Sequence, residues 1–373
     1  MNPIEPQLTL SAPDGAYPIF VQAGLLAQVG AILSEQGHVS SRCALVTNPR
    51  VGRLYAAHVV ESLREAGFDP HVIEIPEGEQ YKTLDTVSKV YSRLIDAQLD
   101  RRSIVFALGG GVIGDLTGFV AATFLRGVPF VQLPTTLLAM VDASIGGKVA
   151  VDHPRGKNLI GAFKQPMAVV ADPNALDSLP EAEWRAGMAE VVKHGMIVGA
   201  ELFGQLESMK PKSKVRGRTP KGRGVGDWLV RAMQVKVDVV SRDPFEQGVR
   251  AKLNLGHTCG HALEKLSNYQ MRHGDAVAIG LVCATRLAAR LGLCDGGLLP
   301  RVENLLGALG LPTHVPSEMP VKAILDAMTT DKKRVNGQLR FVLPRALGDV
   351  FIADNIAQQE IMAAIEETRS RDR

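Results

Sequence analysis

Residues 103–115 read Ser-Ile-Val-Phe-Ala-Leu-Gly-Gly-Gly-Val-Ile-Gly-Asp, an apolar run that passes directly into a glycine-rich turn. The run is short and rich in β-branched and aromatic side chains, which is typical of a buried strand. The glycines from Gly109 to Gly114 satisfy G-x-G-x-x-G, and a helical pattern follows them. A strand, a glycine turn and a helix in this order are typical of an α/β sheet that binds a nucleotide phosphate at the helix N-terminus.

The glycine turn alone leaves two interpretations open, a nucleotide site and a tight structural turn. The acid that usually follows a dinucleotide-binding turn by about 20 residues is missing. After Asp115 the next acid is Asp142. If the turn binds NAD, another segment must therefore supply the contact with the ribose.

Strands and helices alternate on both sides of the turn in the first half of the chain. Further strands are predicted at 42–48, 71–76, 129–134 and 167–172, and helices near 50–66, 84–98 and 112–126. Beyond about residue 180, helices are predicted near 180–209, 225–242, 256–269, 273–293, 298–309 and 355–370, with one strand at 338–344. The sequence thus predicts a mostly parallel α/β domain over residues 1–178 and a mainly α-helical domain over residues 179–373.

Composition excludes several classes of protein. The 373 residues are 46% hydrophobic and 22% charged, which is typical of a soluble globular protein and not of a disordered, collagen-like or coiled-coil chain. Four cysteines without a Cys-x-x-Cys pair predict a reducing, cytoplasmic environment. Neither a secretory signal nor a membrane-spanning segment is predicted, so no membrane partner is expected.

The net charge of +3 is unevenly distributed. Residues 210–223 contain seven Lys and Arg and no acid, and without them the chain has 35 basic and 39 acidic residues, a net charge of −4. The run has no aromatic residue among its cations and no apolar periodicity. It is therefore predicted to be a solvated surface loop, with a nucleic-acid-binding arm as the disfavoured alternative.

Three of the nine histidines, His257, His261 and His273, lie within 17 positions. The i, i+4 spacing of His257 and His261 places both imidazoles on one helical face, as two metal ligands or a ligand and a general acid/base require. Upstream, Glu190 lies in an apolar helical segment, where an unpaired carboxylate would be costly, so a cation is expected beside it. One Glu and two His can form a three-ligand zinc site with an open coordination position.

A glycine- and cation-rich segment, residues 142–164, is longer than a plain connector requires. Together with cations elsewhere, it can supply the positive charge that a phosphorylated, carboxylated substrate needs. For each of these cations the alternative is a solvated surface side chain with no role in binding. The cations considered are Lys148, Lys157, Lys164, Lys193, Lys236, Arg250, Lys332 and Lys333.

Five motifs together resemble the 3-dehydroquinate synthase family of sugar-phosphate cyclases. They are GGGVIGDLTGFVAATFLRGVPFVQLPTTLLAMVDASIGGK (109–148), GKNLIGAFKQP (156–166), GMAEVVKHG (187–195), LNLGHTCGHALE (253–264) and HGDAVAIG (273–280). The similarity runs in order from about residue 77 to residue 345. It implies a Rossmann-like NAD-binding domain at 1–178, a helical domain at 179–373 that binds Zn2+, with Co2+ as a possible substitute, and a cytoplasmic homodimer.

The resemblance also implies a reaction, a carbon–oxygen lyase step of the shikimate pathway. The substrate, a phosphorylated sugar acid, is 3-deoxy-D-arabino-heptulosonate 7-phosphate, and the products are 3-dehydroquinate and phosphate. The reaction has five steps in this order: transient oxidation by NAD, phosphate elimination, re-reduction, ring opening and an intramolecular aldol closure. Two alternatives share the motifs or the architecture: a cyclase that forms an inosose or a valiolone, and a metal-dependent glycerol or alcohol dehydrogenase.

The family's functional residues map onto this sequence by motif. The resemblance assigns the metal to Glu190, His257 and His273. It assigns NAD contacts to Glu77, Glu79, Lys82, Gly110, Gly111, Gly114, Asp115, Thr135, Thr136, Lys148, Lys157, Leu176 and Ser178. It assigns catalysis and substrate contacts to His261, Lys148, Lys193, Arg250, Asn254, Asp142, Asn158, Lys236, Glu246, Arg126 and one of Lys332 or Lys333. Glu79 and Lys82 would supply the missing ribose-side contacts, and Arg126 would reach the site of a neighbouring subunit.

Three features depart from the family pattern. Pro244 occupies a position where the family usually has Glu, and Asp275 one where Glu is common. The basic run 210–223 resembles an insertion in a helical connector.

Overall fold

The computed structural model describes residues 4–13, 15–38, 42–209, 226–329, 334–335 and 338–369. The basic run 210–223 and both Lys332 and Lys333 lie outside the described residues, so what the sequence indicates for them stays a prediction. The described residues form two compact units. The first contains those up to Pro180 together with residues 226–245, and the second contains residues 181–209 and those from Glu246 onward.

The secondary structure alternates in the first unit and is mainly helical in the second. The strands are β1 (Leu8–Ala12), β2 (Gly15–Val21), β3 (Arg42–Thr47), β4 (Asp69–Glu74), β5 (Val105–Gly109), β6 (Phe130–Pro134), β7 (Lys148–His153), β8 (Gly156–Phe163), β9 (Ala168–Ala171), β10 (Arg334–Val335), β11 (Gln338–Leu339), β12 (Phe341–Ala346) and β13 (Asp349–Ala353). The α-helices are α1 (Val29–Glu35), α2 (Pro49–Val51), α3 (Ala57–Glu65), α4 (Leu84–Asp96), α5 (Gly111–Thr123), α6 (Glu181–Val198), α7 (Ala200–Ser208), α8 (Gly226–Arg242), α9 (His257–Leu266), α10 (His273–Arg290), α11 (Leu298–Ala308), α12 (Val321–Thr329) and α13 (Gln358–Thr368).

A seven-stranded sheet organises the first unit, in the order β1-β2-β9-β6-β5-β3-β4. Only the β1–β2 pair is antiparallel among the pairs of this sheet, and the remaining neighbours run parallel. The five strands predicted from apolar runs correspond to β3, β4, β5, β6 and β9, which confirms the α/β prediction. Parallel neighbours joined through helices give the Rossmann-like architecture.

Strand β5 lies inside the sheet, between β6 and β3, and its residues are almost completely buried. Continuous burial is expected for a parallel strand that is covered on both faces. Helix α5, which follows it, packs closely on the β7–β8 hairpin. A Cβ on Gly118 would lie 2.3 Å from Cγ1 of Val149, so a side chain at this position would force the helix and the hairpin apart.

Parts of the first unit differ from the prediction. The segment 142–164, for which the sequence predicts no strand, contains the antiparallel hairpin β7–β8, and the β1–β2 hairpin is not predicted either. Helix α8, which the prediction placed in the helical domain, belongs with the first unit. It packs against β1, where the backbone N–H of Ser11 donates to the side chain of Ser241 in α8. An ion pair between Lys236 of α8 and Asp142 links the helix to the segment before β7.

Helices α9 and α10 form the centre of the second unit and approach each other closely. A Cβ on Gly280 of α10 would lie 1.9 Å from the carbonyl oxygen of Gly256, so only glycine fits there. Two small hairpins, β10–β11 and β12–β13, accompany the helices. The prediction of one strand at 338–344 therefore missed a hairpin partner, β13, and it also missed α12. Among the described residues, no helix has the length and apolar character needed to span a membrane.

Candidate functional site

Helix α6 carries a buried carboxylate into the second unit. Its residues 186–196 are buried, and Glu190 is fully so. One turn later on the same helix, Lys193 is 1% exposed and its Nζ contacts Oε2 of Glu190. The cation expected beside Glu190 is therefore present, and it comes from the helix itself.

Two histidines from the following helices approach the other oxygen of this carboxylate. Nε2 of His257, the first residue of α9, lies 3.5 Å from Oε1 of Glu190. Nε2 of His273, the first residue of α10, lies 3.3 Å from the same oxygen. The ligand atoms of the three residues all lie within 4.8 Å of one another. The structure thus brings together the three residues assigned to the metal.

The second ring nitrogen of each histidine has a partner that orients it. Nδ1 of His257 is 3.1 Å from the carbonyl oxygen of Leu255, and Nδ1 of His273 is 3.2 Å from Oε2 of Glu264. When Nδ1–H donates in this way, the Nε2 lone pair of each ring is available to a metal bound beside the Glu190 carboxylate. One carboxylate and two oriented imidazoles fit Zn2+, which takes three such protein ligands and keeps a fourth position open.

His261 lies beside the three residues, one turn beyond His257. Its ring centroid is 5.3 Å from that of His257 and 6.2 Å from that of His273. Together with Glu264 and His273 it forms a second group whose ligand atoms lie within 4.8 Å of one another. Sequence reasoning missed Glu264. Its spacing of three residues from His261 and seven from His257 on one helix was the available signal.

Burial and hydrogen bonding shift the pKa values of His257 and His273 in opposite directions. Burial holds the pKa of His257 well below its usual value. Burial also opposes the protonation of His273, but its hydrogen bonds with Glu190 and Glu264 outweigh that effect and raise its pKa to about 10. Without a metal, His273 therefore carries a proton on each ring nitrogen and donates to both carboxylates, and a metal that binds Nε2 must displace the proton there.

The segment before α9 holds three of the residues assigned to substrate. Arg250 is 1% exposed and lies in a 3-10 helix, Val249–Asn254. At the end of this helix, Nδ2 of Asn254 donates to Oε1 of Glu246 at 3.0 Å. A buried guanidinium and an oriented amide, a few residues apart, are groups suited to a carboxylate and to hydroxyls.

In the first unit, a buried lysine joins the glycine turn to the β7–β8 hairpin. Nζ of Lys82, whose side chain is 4% exposed, lies 2.5 Å from Oδ2 of Asp115 and 2.6 Å from Oδ1 of Asn158. Oε1 of Glu79 is 3.9 Å away. Burial is the largest single cause and lowers the pKa of Lys82, but the charges of Asp115 and Glu79 and the hydrogen bond with Asp115 together outweigh it, so the net shift is upward. Four residues assigned to NAD or substrate thus form one cluster.

The glycine turn itself is closely packed. A Cβ on Gly109 would lie 2.6 Å from Ile113, and one on Gly114 would lie 2.8 Å from Oε1 of Gln132. Packing therefore favours glycine at both positions, since a side chain would displace Ile113 at Gly109 and the amide end of Gln132 at Gly114, which agrees with the interpretation of a tight structural turn. Helix α5 nevertheless begins at Gly111 without a side-chain cap, so its first N–H groups are suitably placed for an anion.

The remaining assigned residues of the first unit occupy several places. Nζ of Lys236 lies 2.5 Å from Oδ1 of Asp142. Three others each contact a residue close in space: Glu77 contacts Arg50 at 3.2 Å, Ser178 contacts Tyr55 at 2.6 Å, and Thr136 accepts from the N–H of Ala139 at 3.1 Å. Thr135 and Leu176 are buried. Lys148 lies on β7, Lys157 lies on β8, and Arg126 is exposed.

Comparison with known proteins gives matches over nearly the whole chain. The family models described as 3-dehydroquinate synthase N-terminal and C-terminal match residues 72–186 and 187–334. A curated 3-dehydroquinate synthase from Synechococcus sp. is 46% identical over 362 residues, which is 96% of this chain and 98% of the relative. Another, from Desulforamulus reducens, is 47% identical over 353 residues, 94% and 97% of the two chains.

Among solved structures, a 2-epi-5-epi-valiolone synthase from Streptomyces hygroscopicus subsp. jinggangensis 5008 has a similar fold. Its structure contains NAD+ and Zn2+. The TM-score is 0.85 at 30% sequence identity, and the match covers 94% of this chain and 96% of the other.

Proposed function

Because the chain belongs to the 3-dehydroquinate synthase family, we propose that it converts 3-deoxy-D-arabino-heptulosonate 7-phosphate to 3-dehydroquinate and phosphate, as a lyase. The observation that carries this proposal is the buried cluster of Glu190, His257 and His273. Three helices, each bearing one family motif, supply one residue apiece to it. The valiolone synthase is less similar, at 30% identity, than the 3-dehydroquinate synthases at 46% and 47%.

The proposed cofactors are NAD+ in the first unit and Zn2+ at the buried cluster. When bound, NAD+ supplies a reversible hydride acceptor and Zn2+ a Lewis acid that polarises an oxygen. The uncapped start of α5 suits the pyrophosphate of NAD+, and the cluster of Glu79, Lys82 and Asp115 offers polar partners for a ribose hydroxyl. Co2+ is the proposed substitute metal, because it also accepts imidazole and carboxylate ligands.

The chain's own cations are proposed to bind the anionic ends of the substrate. Arg250, which is buried, suits the carboxylate because a guanidinium forms two parallel hydrogen bonds with it. Asn254, oriented by Glu246, is proposed to hold a hydroxyl. Lys193 and His261 are proposed to stabilise the negative charge of the departing phosphate, since donors fixed in a dry site act strongly on developing charge.

The family resemblance also assigns substrate contacts to residues of the first unit, and we propose these roles for them. Lys236 and Asp142, 2.5 Å apart, and Asn158, oriented by Lys82, offer a cation, a carboxylate and an amide. Lys148 and one of Lys332 or Lys333 are the further proposed cations. Arg126 is exposed and has a positive φ of 68°, and we propose that it acts in the site of a second subunit of a cytoplasmic homodimer.

A phosphate-release assay tests the proposal. The purified protein, given Zn2+, NAD+ and the heptulosonate phosphate, is expected to release phosphate and 3-dehydroquinate in equal amounts without net NADH. Glu190→Ala and His257→Ala are expected to abolish release. Glu207→Ala, which removes an exposed ion pair with Arg301 in the same unit, is the matched control and is expected to keep full activity.

Three results would contradict the proposal. Accumulation of NADH would indicate a dehydrogenase. Phosphate release only from a different phosphorylated sugar would indicate another cyclase. Full activity of both Glu190→Ala and His257→Ala would remove the metal assignment.

A further inference from the structure

We propose that Glu264 is the positioning residue that fixes His273 as a metal ligand. This inference rests on the proposed metal site of Glu190, His257 and His273. Glu264 lies in α9, its side chain is 7% exposed, and its Oε2 is 3.2 Å from Nδ1 of His273. Glu264 ends the motif at 253–264, and the family resemblance assigns it no role.

The two edges of the His273 ring face two different carboxylates. Nδ1 faces Glu264, whereas Nε2 lies 3.3 Å from Oε1 of Glu190. A neutral imidazole carries its proton on one nitrogen and its lone pair on the other. Because the Glu264 carboxylate accepts only, it holds the proton on Nδ1 and leaves the Nε2 lone pair for the metal. Glu264 thus selects the tautomer that a ligand at this position needs.

Comparison with His257 shows why His273 depends on a side chain. The Nδ1 of His257 donates to the carbonyl oxygen of Leu255, a backbone group two residues away. The side chain of His257 is also more deeply buried than that of His273: the two are 10% and 30% exposed. The His273 ring therefore has more freedom to turn, and Glu264 is the group that opposes this turning.

Charge gives Glu264 a second effect on the metal. Glu190 and Glu264 contribute two negative charges to the cluster, and Lys193 contributes one positive charge. The net charge of these three groups is negative, which favours a divalent cation in a buried place. A carboxylate behind an imidazole also makes that imidazole a stronger donor to the metal. Glu264→Gln separates these effects, because an amide oxygen can still accept the Nδ1 proton but carries no charge.

Metal affinity measures the effect without relying on catalysis. Competition with a zinc chelator at pH 7 is expected to show binding weakened roughly 10- to 100-fold in Glu264→Ala, and by a smaller factor in Glu264→Gln. Glu303→Gln is the matched control, because it removes a half-buried carboxylate paired with Arg286 at 2.6 Å in the same unit. Its zinc affinity is expected to equal that of the wild type.

Nitrogen-15 NMR of histidine-labelled protein with Zn2+ gives a second readout, independent of the affinity measurement. His273 is expected as the tautomer with the proton on Nδ1, and in folded Glu264→Ala this proton is expected to exchange faster with water. Unchanged zinc affinity in Glu264→Ala, or a proton on Nε2 of His273 in the wild type, would overturn the positioning role alone. Wild-type protein that takes up no zinc would overturn the metal part of the proposed function and this inference with it.

Discussion

Replacing Lys82 by Met tests how the buried charges of the first unit are balanced. The ammonium of Lys82 is 2.5 Å from the carboxylate of Asp115, and the two side chains are 4% and 20% exposed. Methionine fills a similar volume and has no charge. In Lys82→Met the Asp115 carboxylate keeps its position but loses its cation.

The size of the effect follows from the geometry. Two unit charges 2.5 Å apart attract each other by about 6.6 kcal/mol at an effective dielectric constant of about 20. Desolvation of both groups offsets much of this attraction, but removal of one partner leaves the other charge buried and uncompensated, which typically costs about 3–5 kcal/mol. Because Asp115 is partly accessible to water, we expect a loss of about 3 kcal/mol in the free energy of unfolding.

The loss is expected to depend on pH in one direction. Burial raises the pKa of Asp115 above its usual value, and the charge of Lys82 opposes this rise. Without Lys82 the pKa rises further. A carboxyl group with a higher pKa in the folded than in the unfolded protein destabilises the fold only when it is ionised. The deficit of Lys82→Met is therefore fully present above the folded-state pKa of Asp115 and decreases as the pH falls through it.

Urea unfolding of NAD-free protein, followed by circular dichroism, measures these differences. Lys82→Met/Asp115→Asn, which removes both charges, is expected to recover stability to within about 1 kcal/mol of the wild type. Arg340→Met removes an exposed pair with Asp354, at 3.0 Å, and is expected to cost less than about 1 kcal/mol. If Lys82→Met were no less stable than Arg340→Met, or if the double variant were as unstable as the single, the charge-balance argument would be refuted.

Three further predictions concern the second unit. Gly280→Ala is expected to cost about 3 kcal/mol of unfolding free energy, because its Cβ would overlap the backbone carbonyl of Gly256, the residue before α9. Gly204→Ala in α7, with open space at its Cβ, is expected to be neutral or stabilising in the same urea assay. Lys193→Met is expected to bind zinc more tightly than the wild type in a chelator competition, because the buried ammonium beside Glu190 repels a divalent cation; weaker binding would contradict this. Zinc uptake is expected to release protons, and zinc affinity is expected to rise with pH below about 10. The reason is that His273 must lose a proton, and its carboxylate partners raise its pKa to about 10 against the effect of burial. Calorimetry in buffers of different ionisation enthalpy measures the proton release, and an affinity that did not change with pH would refute the prediction.

The parts of the fold that could be predicted are those whose signal is local. The run 103–108 identified the interior strand β5 because a strand buried on both faces needs a continuous apolar sequence. The spacing of His257 and His261 placed two imidazoles together because a helix returns to the same face after four residues. In each case the decisive residues are neighbours in the sequence.

The parts that could not be predicted depend on contacts between distant segments. The helical pattern of α8 is correct, but its place beside β1 follows from contacts such as Lys236 with Asp142, 94 residues apart. The hairpin β7–β8 has many polar and glycine residues and half-exposed faces, so its alternation is weak. Glu264 lay within a recognised motif, but its role is apparent only once α10 brings His273 to it.

The buried ion pair between Lys193 and Glu190 has a consequence for how ligands bind in the second unit. In the second unit, Lys193 contacts the Glu190 oxygen Oε2, and His257 and His273 lie near Oε1. This arrangement compensates the buried carboxylate without a metal, so the fold does not need zinc for charge balance there. A divalent cation at the same carboxylate would take over that compensation and leave the Lys193 ammonium with less attraction to Glu190. The lysine would then be better able to bind a phosphate, so the metal and the anionic substrate are expected to strengthen each other's binding.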